Sequence, residues 1–392
     1  MRNNAKIRFY KKSMSKTTKI TIWLIIIIVV IAGIWWGVAR KPAQPPIAKK
    51  EVVKIGVILP LSGTAAYAGE EVKSGIDLAV EEINNKGGIN GKKLEVIYED
   101  TKCNPTEAIN VFNKLTKIDK ISVIIGDWCS SCVLAVAPIA EKSRIVLVSL
   151  GISPKIRFAG DYIFRIPVSL AYYSKRLAQY VHKKNISKVS ILYINNDYGA
   201  SFSDYFRKDF ENLGGKIVSV ETFERGATDF RTQLIKIKND NSEAIFIIAY
   251  NEFDRILKQK EELKINKLVL ASNTVESQQV LDLGKLAEGI IYPYSFNPDS
   301  NRKGSIEYQT LYKAKYGKKS GYYAAEGYDA VKILAKAIKV CGTNSVCIKN
   351  ELYKIKNFDG ATGKISIDEY GDVETPILIK KIENQNFIII EE

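Results

Sequence analysis

Hydrophobic and polar positions along this chain change period repeatedly. Val53–Leu59 is a short, mostly apolar run that predicts a strand. A Pro-Leu-Ser-Gly turn follows. Ile76, Ala79, Val80 and Ile83 then recur at three- and four-residue spacing, which places them on one helical face. Gly87, Gly88 and Gly91 end that helix, and Lys93–Tyr98 reads as a second strand. This is one βαβ unit, and its strand-to-helix turn is a place where open α/β sheets bind ligands. The alternation continues with strands at Ser122–Ile125, Ile145–Ser149, Tyr162–Pro167, Val189–Ile194, Lys216–Glu221, Ala244–Ala249, Leu268–Ala271 and Ile290–Tyr294. Helices are expected at Val133–Lys142, Tyr172–Lys184, Phe202–Leu213, Phe230–Asn239 and Asp254–Leu263. Such a series predicts parallel sheets with helices on both faces. Ser305–Lys339 reads as two helices rich in Tyr and Lys. The last stretch reads as strands around an Asp-Glu-Tyr-Gly-Asp turn at Asp368–Asp372.

The N-terminal pattern is different. Ile20–Ala39 is a run of twenty residues without charge, long enough as a helix to cross the hydrocarbon core of a bilayer. Trp23, Trp35 and Trp36 stand near its ends, where indoles favour the interface. Seven basic residues lie between Arg2 and Lys19, so residues 1–19 are expected in the cytoplasm and everything after Ala39 outside. The apolar region of a signal peptide is usually only about 7–15 residues, which favours an uncleaved anchor. Gly37-Val38-Ala39 is nevertheless a passable cleavage site, so a removed signal stands as the alternative. No cysteine lies near the end of the run to carry a lipid. Residues 40–50, with Pro42, Pro45 and Pro46, read as a semi-extended tether.

Charge alters the picture once this segment is set aside. The whole chain of 392 residues carries a formal net charge of +15, but its first fifty residues hold eleven Lys/Arg and no acid. The remainder has 47 basic against 43 acidic residues, which gives nucleic-acid binding little support. Catalytic patterns are missing too. The one histidine, His182, sits on a Lys-rich helix without a partner for acid–base work. There is no HExxH, no Gly-rich phosphate loop ending in Lys-Ser/Thr and no nucleophile elbow. Cys129-Ser-Ser-Cys132 lacks a second ligand pair at zinc spacing. The reading is therefore a binding protein, not an enzyme, without metal or cofactor.

Taken whole, the string from Val52 to Asp100 (VVKIGVILPLSGTAAYAGEEVKSGIDLAVEEINNKGGINGKKLEVIYED) resembles the opening of the ligand-binding proteins for branched-chain amino acids. These are extracytoplasmic receptors of ABC importers. The resemblance runs over roughly residues 52–392 and is most specific in its first third. It implies an α/β fold of two Rossmann-like lobes, joined by a hinge that the chain crosses three times, with a ligand cleft between them. The crossings would fall near Pro167, Asn297–Pro298 and Gly360–Gly363. One lobe would then hold residues 51–167 and 298–362, and the other 168–297 and 363–392.

The resemblance also implies a site. Ser130 matches a hydroxyl that grips a carboxylate in the relatives, with Ser131 beside it; either could equally be a plain helix N-cap. Gly151, Ile152 and Ser153 match the next ligand loop, where a backbone N–H and the Ser153 hydroxyl would complete the carboxylate site. Tyr67, Tyr198 and Tyr250 match positions that close over the ligand from both lobes. The relatives place an acid against the ligand's ammonium where this chain has Asn273 or Thr274, with Glu276 a little further on. Either Glu276 reaches in, or the ligand carries no α-ammonium and is an amide, a small organic acid or an aromatic acid. Cys103 and Cys129 each follow a predicted strand at places where the relatives carry a disulfide. Cys341 and Cys347 could close a second, small loop, which leaves Cys132 unpaired. The expected partners are a small-molecule ligand and ABC permease subunits, with the membrane engaged through residues 20–39. A ligand sensor of the same fold, signalling through the anchor, is the alternative role.

Overall fold

The computed structural model describes residues 13–39 and 52–392, which form two separate units. In the first, α1 (Lys16–Ala39) is a single helix whose described side chains are all exposed, and most of them are apolar. The tether and the basic residues before Ser13 lie outside the described residues.

The second unit begins with β1 (Val52–Leu59), α2 (Ala66–Asn85), β2 (Lys93–Asp100) and α3 (Pro105–Asn113). It continues with β3 (Val123–Ile125), α4 (Ser130–Ser143), β4 (Val146–Ser149) and β5 (Ile163–Arg165). These strands form a wholly parallel sheet in the order β2-β1-β3-β4-β5. Every residue of β3, β4 and β5 is buried, as strands covered on both faces require. The chain then builds α5 (Leu170–Lys183), β6 (Lys188–Ile194), α6 (Asp197–Asn212), β7 (Lys216–Phe223) and α7 (Arg231–Asn239). β8 (Ala244–Ile248), α8 (Phe253–Glu262), β9 (Leu268–Ala271), α9 (Gln278–Leu281) and β10 (Ile291–Tyr294) follow. Three helices come next, α10 (Lys303–Tyr316), α11 (Tyr322–Cys341) and α12 (Ser345–Tyr353), then the short pair β11 (Phe358–Asp359) and β12 (Lys364–Ile365). β13 (Leu378–Glu383) and β14 (Asn386–Glu391) close the second sheet, in the order β14-β13-β10-β9-β8-β6-β7, the last two strands running antiparallel. The predicted fold class, two parallel sheets covered by helices, is the observed one.

The returning helices belong with the first sheet. α11 lies against α2 so closely that the backbones touch. A Cβ at Gly75 would come within 1.8 Å of the Ala324 carbonyl oxygen, and one at Gly327 within 2.4 Å of that of Val72. Only glycine permits this approach. From α11, the buried Asp329 carboxylate accepts the N–H groups of Ala361 and Thr362 at 2.7 and 2.8 Å and the Thr362 hydroxyl at 2.7 Å. Gly360–Gly363, expected to be the last crossing, is thus bound to the first sheet's helices. The chain is still tied there at Asp372, which pairs with Arg165 of β5 and Arg157. It touches the second sheet's helices at Glu374, which accepts from the Tyr172 hydroxyl of α5, and at Ile377, whose carbonyl accepts the Arg176 Nε–H at 3.1 Å. Cys103 is bonded to Cys129 and Cys341 to Cys347, while Cys132 is buried and free.

Several buried acids give this unit an inverted acid response. Burial pushes Asp127 and Asp329 up to about 6, and Glu71 to about 7. Such groups hold more protons folded than unfolded, so between their unfolded and folded pKa values stability falls as pH rises. Glu82, held down to about 2 despite its burial by bonds from Lys86, Tyr328 and Lys332, acts in the opposite sense below about pH 4.5. The melting temperature is expected to be higher at pH 5 than at pH 7.5 and to fall again below pH 4. A scanning calorimetry series across this range checks it, and a Tm that rises steadily from pH 5 to 7.5 would contradict the sign.

Candidate ligand-binding site

The carboxyl ends of the parallel strands in both sheets converge on one small cavity. From the first sheet, the turn after β3 contributes Trp128 and Ser130, and the turn after β4 contributes Leu150 and Ile152. From the second, α6 supplies Tyr198, and the turns after β8 and β9 supply Tyr250, Asn273 and Thr274. The first two turns of α11 add Tyr322, Tyr323 and Glu326.

On the first side the groups are hydrogen-bond donors. Ser130 opens α4, and its Oγ accepts the Ser153 N–H at 3.1 Å. Its own O–H proton is therefore available to another acceptor. The N–H groups of Ser130, Ser131 and Ile152 have no partner among the described residues. Unsatisfied first-turn N–H groups suit an anion. The loop comes this near because residue 151 is glycine: a Cβ there would lie 3.1 Å from the Ser130 Cα.

The walls are aromatic. Tyr198 and Tyr250 stack at 5.3 Å, and Trp128 reaches from the first sheet to within 5.2 Å of Tyr250. Tyr323 and Tyr67 approach Trp128 edge-on at 5.4 and 6.2 Å. The Tyr198 hydroxyl donates to Asn273 Oδ1 at 3.2 Å, and Thr274 Oγ1 donates to the Ala249 carbonyl at 2.5 Å. Arg225 reaches from the loop after β7 and donates to the Cys103 carbonyl at 2.5 Å while lying 5.6 Å from the Tyr250 ring. Lys155 pairs with Asp197 at 2.9 Å, and the Ser153 and Ser201 hydroxyls sit 3.4 Å apart. These contacts join the loops of the two sheets.

The residues picked from sequence divide in two. Ser130, Ile152, Tyr198, Tyr250 and Asn273 line the cavity. Ser131, Gly151, Ser153 and Tyr67 stand behind it; Ser153 is fully buried, with its carbonyl held by Arg165 Nη1 at 2.8 Å. Glu276 does not reach in. Its carboxylate accepts from Lys380 Nζ at 2.8 and 3.0 Å and from the Tyr292 hydroxyl at 2.7 Å, so it already has a cation. It lines a separate surface depression with Glu71 and Tyr67. Trp128, Tyr322, Tyr323 and Glu326 were not picked. α11 follows another helix rather than a strand, so no strand end marks its residues as facing the cleft.

The family model for periplasmic binding proteins matches residues 52–386. The chain belongs to the periplasmic binding protein family. Among solved structures, a leucine-binding protein from Thermotoga maritima is 30% identical with a TM-score of 0.82, over 86% of this chain and 97% of that one. The substrate-binding protein of a branched-chain amino acid transporter from Streptococcus pneumoniae, solved with isoleucine, is 29% identical with a TM-score of 0.80, over 87% and 100%. An ABC transporter solute-binding protein from Rhodopseudomonas palustris, solved with 3,4-dihydroxybenzoic acid, is 25% identical with a TM-score of 0.77, over 87% and 96%. Residues 52–386 are thus an extracytoplasmic binding-protein domain of the kind that serves ABC transporters.

Proposed function

We propose that this protein captures a small carboxylate-bearing solute, an amino acid with an apolar side chain, and delivers it to the permease of an ABC importer. The observation that carries the reading is the Ser130 corner, where a free hydroxyl and unsatisfied N–H groups open into a small cavity walled by aromatic rings. An anion fits the donors and an apolar side chain fits the rings. The relatives solved with isoleucine and with an aromatic acid both carry a carboxylate, which supports the same end of the site. Capture proceeds by closure about the three passages between the sheets, with the closed state favoured by contacts that only the ligand makes to both sides. α1 anchors the domain to the outer face of the membrane.

A melting-temperature panel on the full chain in detergent micelles, with twenty amino acids and a set of aliphatic and aromatic acids each at 1 mM, tests the ligand class. A ligand with a Kd of about 10 μM raises stability at that concentration by roughly 2.7 kcal/mol, a visible shift. Shifts confined to sugars, cations or amines in a parallel set would defeat the carboxylate reading. Protease added to intact cells should remove the domain and leave α1 in the membrane; recovery of a free domain starting near Arg40 would replace the anchor with a cleaved signal.

A further inference from the structure

Glu326 is an acid in search of a cation. It lies in the first two turns of α11, is 1% exposed and lines the same cavity as the Ser130 corner's donors. Among the described residues no lysine or arginine pairs with it, and only the Tyr322 hydroxyl supports its charge. The surrounding groups make a negative charge harder to hold. Glu71 of α2 and Asp329 of α11 are both acids near it, and the tyrosines that face it, Tyr173 of α5 with Tyr322 and Tyr323 of α11, carry no positive charge. Burial and these neighbours raise its pKa well above the usual carboxylate range. A carboxyl buried without a partner is costly, and replacing it with an apolar residue would remove that cost. Its position in the cavity wall gives it a use.

We propose that Glu326 receives the ammonium group of the ligand, so that the cavity recognises an α-amino acid zwitterion and discriminates against the corresponding plain acid. This rests on the carboxylate being held at Ser130. With Glu276 already engaged by Lys380, Glu326 is the acid at the cavity that has no cation of its own among the described residues. Binding then favours the ionised carboxylate, and a proton held by Glu326 in the empty cavity leaves to solvent as the ligand's ammonium takes its place. The close α2–α11 contact fixes the acid's position.

Isothermal titration calorimetry on the full chain in micelles, with L-leucine and its des-amino counterpart 4-methylpentanoate as probes, tests this. Wild type should bind leucine at least tenfold more tightly than 4-methylpentanoate. Glu326→Gln should weaken leucine by roughly ten- to a hundredfold, the worth of a hydrogen bond to a charged group, and leave 4-methylpentanoate unchanged or tighter. Titration in buffers of differing ionisation enthalpy should show more proton release on leucine binding in wild type than in Glu326→Gln. Glu276→Gln serves as the comparison and should leave the ratio of the two affinities unchanged. Equal weakening of both probes, or no change for leucine, would overturn the assignment. So would a wild type that prefers 4-methylpentanoate, although the carboxylate reading would stand. If neither probe nor any acid of the panel binds, the carboxylate reading falls and this inference with it.

Discussion

Replacing Asp372 with alanine is expected to lower the free energy of unfolding by about 3–5 kcal/mol, because it strands a buried guanidinium. Arg165 is 1% exposed, and its charge is met by Asp372 alone among its close contacts; its other named bond goes to the neutral Ser153 carbonyl. Arg157 shares the same carboxylate at 3.1 Å, so the substitution also leaves two cations near one another, with Asp368, 2.7 Å from Arg157, as the remaining acid. The expected result is a lower urea midpoint at unchanged slope. The double variant Arg165→Met/Asp372→Leu should recover most of the loss, since a buried ion pair often exchanges for apolar packing at little cost. A loss below about 1 kcal/mol for the single variant would mean that the arginine finds water. Ligand affinity should fall as well, because the same guanidinium holds the loop that donates to Ser130.

The second large effect is expected in binding. Ser130→Ala removes the hydroxyl proposed to donate to the solute's carboxylate, and a bond to a charged acceptor is worth about 1.5–3 kcal/mol. That alone weakens binding roughly ten- to a hundredfold. The variant also leaves the Ser153 N–H without its acceptor inside a buried loop. Ser131→Ala is the control, since Ser131 lies one residue further into α4 and outside the cavity. It should change affinity by less than about twofold, as surface substitutions usually do. If Ser130→Ala binds as tightly as wild type by calorimetry, the anion lies elsewhere in the cleft.

The parts of this protein that the sequence made legible are those governed by short-range periodicity. β1, β2, β4, β10, α5, α7 and α8 lie within two residues of the runs that predicted them, because strand burial and helical amphipathicity are written locally, whereas α4 and α6 begin three and five residues earlier than expected. α3 was not foreseen. It is only nine residues long and starts on an Asn104 cap with Pro105 in its first turn, a signal that is easily taken for a loop. α12 was hidden the same way behind the Cys341–Cys347 loop. Site residues just after strand ends, such as Ser130 and Tyr250, could be found because strand ends converge in this class of fold. Glu326 could not, because its place in the cavity depends on how α11 packs against α2, a contact 249 residues apart between Gly75 and Ala324 in the register that brings their backbones together. Glu276 misled for the complementary reason: its partner, Lys380, comes from β13, more than a hundred residues later.

The glycine contact between α2 and α11 bears on how such a receptor can diverge. Two helices packed backbone to backbone leave no side chain between them to be trimmed so that a bulkier solute could enter. The wall carrying Tyr322, Tyr323 and Glu326 is therefore a fixed template. New ligand preferences have to be written on the opposite wall, in the side chains of Tyr198, Tyr250, Asn273 and Thr274, where turns that follow strands can change shape without unseating a helix pair. Descendants of this chain that switched solutes would keep Gly75 and Gly327 and vary the loops facing them.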